Sequence, residues 1–136
     1  MTYPFPVRPW PDIIEFYEWL LDDGATFVAP MLSVARSVVV EGADSQIGGH
    51  TSMHDLVVTS LPVGSAVPLD QVRVALAPTP GPRAEFRLSR PGIVRISHYS
   101  GVGQDDEIER PASEVLPLFW RFMIEKYGVH PARDLA

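Results

Sequence analysis

Two histidines four apart, His50 and His54, stand beside Asp55 in the stretch GGHTSMHDLVVTS, residues 48–60. Residues at that spacing share a side in an extended chain and in a helix alike, so both imidazoles can reach one ion or one substrate. Zinc needs at least one more ligand. The chain has no cysteine, which leaves imidazole or carboxylate. His98 is the candidate third group, because it continues the inward register of Val94 and Ile96. Against a metal or catalytic centre, there is no HExxH and no acid at a recognisable catalytic spacing. The expectation is therefore no metal and no catalytic residue. The stretch reads as a polar loop behind Gly48-Gly49 that runs into a strand. The alternative is a small-molecule binder or small enzyme, with a pocket between sheet and helices opened by His50, His54, His98 and Tyr99.

Other chemistry is weaker still. Gly101-Val102-Gly103 follows a strand, as phosphate loops do, but leads into QDDEIERP. Consecutive acids repel a phosphate, and no helix start follows. That segment reads as a turn with a solvated acidic tail. No G-x-S-x-G marks a nucleophilic serine. No cofactor is expected, and the weight falls against an enzyme.

The elements that would position these groups follow from periodicity. Four prolines in residues 1–11 predict an extended arm over 1–10, lying on the surface through Tyr3, Phe5 and Trp10. In PDIIEFYEWLLDDG, Pro11 suits a first helical turn and Gly24 the position after a helix end. Ile13, Phe16, Tyr17, Leu20 and Leu21 share its apolar face. TFVAPM reads as a short strand broken by Pro30, SVARSVVVE as a strand, and ADSQIGGHTSM as a long loop. DLVVTSLPV reads as a strand, and QVRVALAP, RAEFRLS and GIVRISHYS alternate apolar and polar residues, which predicts an antiparallel sheet of about five strands covered on one face. A closing helix around PASEVLPLFWRFMIEKYG carries Pro117 in its first turn. Phe119, Phe122 and Met123 lie on its core side, and Gly128 ends it. The expected architecture is a single α+β domain over 1–136, a two-layer sandwich. An N-terminal helix precedes the sheet, and the C-terminal helix packs on one sheet face.

Three surfaces stand out. Pairing Phe86 with Ile96 sets Arg87 opposite Arg95, with Arg73 on the same outer face. The N-terminal helix carries Glu15, Glu18, Asp22 and Asp23 with no base between Trp10 and Ala35. Two of those acids fall where the helix dipole disfavours negative charge. The closing helix is apolar around almost its whole circumference, Trp120 included, so that either the N-terminal arm and first helix or another chain, a second copy or a partner, must cover it.

The totals bound the rest. The net charge is −6 and the pI about 5.1, which disfavours nucleic acid and anionic membranes and favours a basic partner. No apolar run reaches the roughly 18 residues of a membrane span, and the N-terminal residues lack the pattern of a signal peptide, so a cytoplasmic chain is expected. Ten arginines against a single lysine, Lys126, mark a GC-rich genome. The leading expectation is a noncatalytic acidic module that binds a protein, of the kind that bacterial immunity proteins and antitoxins use against a basic effector. Its contact residues would be Glu15, Glu18, Asp22, Asp23, Arg73, Arg87, Arg95 and Trp120.

Overall fold

The computed structural model describes residues 6–63, 70–78, 89–100 and 103–132. The first helix, α1 (Trp10–Asp22), starts with Pro11 in its first turn. Asp23 closes it, and Gly24 follows with φ 96°, a left-handed backbone that glycine adopts without a Cβ clash. Trp10, Ile13 and Tyr17 are its buried residues, with Ile14, Phe16, Leu20 and Leu21 packed partly against the same core. The expected arm is shorter than 1–10, because Trp10 opens the helix. Tyr3 and Phe5 lie outside the described residues.

The segment read as two strands is helical. A single 3-10 turn at Thr26–Val28 leads into α2 (Ala29–Val40). Pro30 does not break a strand here; it sits in the first turn of the helix, where no N–H bond is lost. Met31, Leu32, Val34, Ala35 and Val38 are buried, a helical repeat hidden inside a β-branched sequence. Burial overrides the modest helix reluctance of valine. α2 packs against both α1 and α3.

Five strands form one antiparallel meander in chain order. They are β1 (Ile47–Ser52), β2 (Asp55–Ser60), β3 (Gln71–Pro78), β4 (Ser89–Ser100) and β5 (Gly103–Pro111). Two were not expected. β1 occupies the stretch read as a loop, and β5 is the acidic segment read as a tail. Conversely, Arg87 and the rest of RAEFRLS before Ser89 lie outside the described residues. The proposed pairing of Phe86 with Ile96 does not occur, because Ile96 is flanked by Val74 and Ile108. Arg95 accordingly stands between Ala75 and Glu109, not opposite Arg87.

The chain closes with α3 (Val115–Phe122), entered through a 3-10 turn at Ala112–Glu114 and extended by a π-turn, Met123–Tyr127. Pro117 lies in the first turn, and Gly128 ends the helix at φ 66°. Phe119, Phe122 and Met123 are fully buried. All three helices bury their apolar residues on one sheet face, in one cluster with Leu56, Val58, Val72, Val74, Val94 and Ile96. An N-terminal helix, a five-stranded antiparallel sheet and a C-terminal helix make the fold α+β. The other face is less open than alternation suggests: Val57, Thr59 and Ser97 are buried there too.

The glycine pair at 48–49 is explained by packing. The indole of Trp10 lies on Gly49, and a Cβ at that position would stand 2.8 Å from Trp10 Cη2. Trp10 is held there, because its Nε1–H donates to Ile47 O at 3.0 Å. At Gly48 a Cβ would meet only the flexible ends of Leu61 and Val7, at 3.1 and 3.3 Å. Gly49→Ala is therefore expected to lower stability by about 1–3 kcal/mol through overpacking, while Gly48→Ala stays close to wild type in the same urea titration. Phe122→Ala should cost roughly 3–5 kcal/mol; a near-wild-type urea midpoint would contradict the facing of α3.

Candidate functional site

The outer side of α1 combines charge with an exposed aromatic. Trp19 follows Trp10 by nine residues, about two and a half helical turns, so the two indoles point in opposite directions. Trp10 is 4% exposed and Trp19 62%. On the helix surface Trp19 has Glu15 and Phe16 one turn before it and Asp22 and Asp23 one turn after. Asp12, Glu15, Phe16 and Trp19, together with Arg8, line a shallow hollow of about 410 Å³. Asp12, Glu15, Asp22 and Asp23 are exposed, and none makes an ion pair with a described residue. No basic residue stands in the last turn.

Glu18 differs from its neighbours. Its carboxylate accepts from Arg36 of α2 at 2.8 Å, so the acidic helix does have a compensating base, just beyond Ala35. Sequence reasoning missed Trp19, although its distance from Trp10 already places it outward. It also missed Arg36, because that residue was assigned to a strand.

Of the three arginines expected on the outer face, Arg73 and Arg95 are paired with acids, and Arg87 lies outside the described residues. Arg73 donates to Asp55 Oδ2 at 2.9 Å. Arg95 donates through Nε to Glu109 Oε2 at 2.9 Å and lies 3.5 Å from Glu107 Oε1. The strand that carries Glu107 and Glu109 is β5, so recognising it as a strand would have supplied both partners. Trp120, expected at a contact surface, is 2% exposed, and its Nε1–H donates to Ser37 Oγ at 3.2 Å. The apolar excess of α3 that suggested a second copy is covered at this residue by α2. Leu116 and Ile124 remain at the surface.

The histidines do not converge. His50 lies on the face away from the helices, in a row across all five strands: His50, Val57, Arg73, Ser97, Glu107. Its Nδ1–H donates to Thr51 O at 3.2 Å. His54 sits in the β1–β2 turn, edge-on to Phe27 with ring centroids 5.1 Å apart. Its carbonyl accepts from Tyr17 at 3.0 Å. His98 is buried on the helix face, paired across to Val72. It is about 13 Å from His54 measured along the strands. Tyr99 pairs with Gln71. The expected shared pocket of His50, His54, His98 and Tyr99 is not formed, because opposite faces and opposite ends of the sheet hold its members. Among the described residues no three His, Asp or Glu side chains gather as a metal site.

His98 instead belongs to a latch. Its Nε2 lies 2.9 Å from Asp70 Oδ1, and the same oxygen accepts from Tyr127 at 2.8 Å. Thr59 Oγ1 donates to the Asp70 carbonyl at 2.8 Å. One aspartate thus ties the start of β3, the end of β4 and the last turn of α3. Lys126 adds an ion pair to Asp106 at 3.1 Å.

The His50 imidazole is held below its ordinary range, chiefly by burial, with the Arg73 and Arg8 charges adding to it and the Thr51 hydrogen bond opposing. A lowered histidine binds its proton more weakly folded than unfolded. Its contribution is intact above the unfolded pKa of about 6.5 and is lost as pH falls from there towards the folded value. Melting temperature should therefore drop more steeply in wild type than in His50→Gln as pH is lowered below that point. Parallel curves would remove His50 as the cause.

No protein-family model matches this chain, and no curated protein and no solved structure matches it.

Proposed function

We propose that this chain is a noncatalytic acidic module that binds a protein, with the outer stripe of α1 as the contact face and a basic segment as its occupant. The observation that carries this reading is Trp19, 62% exposed between carboxylates that pair with no described residue. Tryptophan is among the residues most enriched at binding hot spots, where it is surrounded by a polar rim. A lysine or arginine of the partner placed over the indole would gain about 0.5–2 kcal/mol from the ring's negative face. The carboxylates of Asp12, Glu15, Asp22 and Asp23 would steer that cation inward before contact. Inhibition of a basic effector, as immunity proteins and antitoxins perform it, is the biological class that fits this surface and the net charge of −6. Glu18 is left out of the contact set because Arg36 already occupies it, and the paired Arg73 and Arg95 are left out for the same reason.

The fold does not depend on this stripe. Two of its acids lie at the helix end, where the dipole opposes them by a few tenths of a kcal/mol each. Reversal of Asp22 and Asp23 to lysine should leave the melting temperature unchanged or slightly raised. With a partner recovered by affinity capture and identified, the reversed protein should associate more slowly. The difference should be largest at low salt, since the Debye length is only about 8 Å at physiological ionic strength. Trp19→Ala should act on dissociation instead, weakening the complex by about 2 kcal/mol or more. Wild-type association of the reversed protein at low salt, together with wild-type dissociation of Trp19→Ala, would place the contact face elsewhere.

A further inference from the structure

A hollow separate from the α1 stripe has no charged side chain among the described residues that line it. Its volume is about 490 Å³. The 3-10 turn before α2 and the first turns of α2 form one wall, with Phe27, Pro30 and Ser33. The entry to α3 forms the other, with Ser113 and Val115, and Leu76 of β3 lies between them. The cause of the hollow is local. Leu76 sits on the helix face of the sheet, beside the irregularity between Leu76 and Pro78. The residues above it are small: Ala29, Gly92 and Ala112. Both helices begin here, so neither lays a full turn of side chains over the end of the sheet. Leu76 is left half-buried, while Val72 and Val74 on the same strand are covered.

A second hollow of about 170 Å³ shares Phe27 and Leu76 with the first and reaches Met53 and His54. The Phe27 ring is part of both linings and rests edge-on against His54. At the rim, Met53 is 87% exposed and holds φ 56°. That backbone costs a non-glycine residue roughly 1–2 kcal/mol. A large apolar side chain kept in this conformation at the rim of the smaller hollow, beside His54 and Asp55, is the kind of strain that gathers at ligand sites.

We infer that this hollow binds a small uncharged molecule with an apolar ring or short alkyl body and a single hydroxyl, N–H or carbonyl. The volume falls within the roughly 300–1,000 Å³ of small-molecule sites. A charged ligand would lose its hydration against alanine, proline, leucine and valine, with no opposite charge among the described lining residues to replace it. The polar atom of the ligand has partners within reach of the lining: the hydroxyls of Thr26, Ser33 and Ser113, which make no hydrogen bond to a described residue. Phe27 supplies the aromatic wall. This site is independent of the α1 stripe and shares no residue with it.

The test is a titration of isotope-labelled protein followed by amide chemical shifts, with indole and 1-octanol as neutral probes and indole-3-acetate as the charged counterpart. At least one neutral probe should give saturable shifts at Thr26, Ser33, Leu76 and Ser113, half-complete below about 1 mM. The charged probe should bind at least roughly tenfold more weakly than indole. Ser33→Phe, which fills the hollow from α2, should abolish the shifts. Ala112→Leu fills it from the other wall and decides the matter if the first variant does not fold. Trp19→Ala should leave them unchanged, which keeps this result separate from any outcome on the α1 stripe. The inference is overturned if neither neutral probe gives saturable shifts at these residues. It is equally overturned if the shifts survive a folded filling variant, or if indole-3-acetate binds as tightly as indole.

Discussion

The contact between Trp10 and Gly49 fixes how the helical layer meets the sheet. A bare Cα on β1 admits the indole, and the Ile47 carbonyl holds its N–H. The backbone of Arg8 adds a bridge to the Gly49 carbonyl at 2.9 Å, so the entering chain and the first turn of α1 are tied to the same two residues of β1. Once Trp10 is turned inward, the geometry of a helix leaves no choice for the residues that follow it. Ile13 and Tyr17 follow it into the core, and Trp19 is forced outward among the acids. The exposed stripe is in this sense the reverse side of a packing decision made at a glycine.

The same contact accounts for how α2 is used. α1 and the sheet leave a gap that neither fills, and α2 runs through it, meeting α1 on one flank and α3 on the other. Its two outward contacts are polar: Arg36 to Glu18, and Ser37 to the Trp120 indole. Trp120 needs both an apolar bed and a partner for its N–H, and α2 provides the two together. A tryptophan that looks surplus on its own helix is satisfied by a neighbour 83 residues earlier in the chain.

Much of the fold was legible in the sequence, and the misreadings share one cause. α1, the left-handed Gly24 and Gly128, the apolar run of β2, the alternation in β3 and β4, and the core residues of α3 all announce themselves locally. α2 did not, because Val34, Val38, Val39 and Val40 carry a strand-like composition and only the spacing of the buried members betrays a helix. β1 was hidden by two glycines, which are poor strand formers, and they make sense only once Trp10 is placed on one of them. β5 was hidden by its acids. Glu107 and Glu109 alternate with Ile108, but their place on a sheet face makes sense only beside Arg95, a residue on another strand. Of the candidate site, the acids of α1 were evident, whereas Trp19 required knowing which indole points inward. The histidine cluster dissolved because sequence proximity says nothing about the two faces of a sheet.

The meander leaves two edges that another chain could in principle extend, and both are guarded. At β1 the Arg8 backbone already takes up the Gly49 carbonyl, which interrupts the row of free groups a further strand would need. At β5 the edge carries Asp106, Glu107 and Glu109 and ends at Pro111. A second copy laid against it would set carboxylates beside carboxylates, and like charges placed opposite each other weaken a sheet. Acids and a proline on an edge are a recognised barrier to end-to-end growth of sheets. The segment that reads as a solvated tail is thus the closing edge of the sheet, with acids and a proline of the kind that disfavour pairing with a further strand.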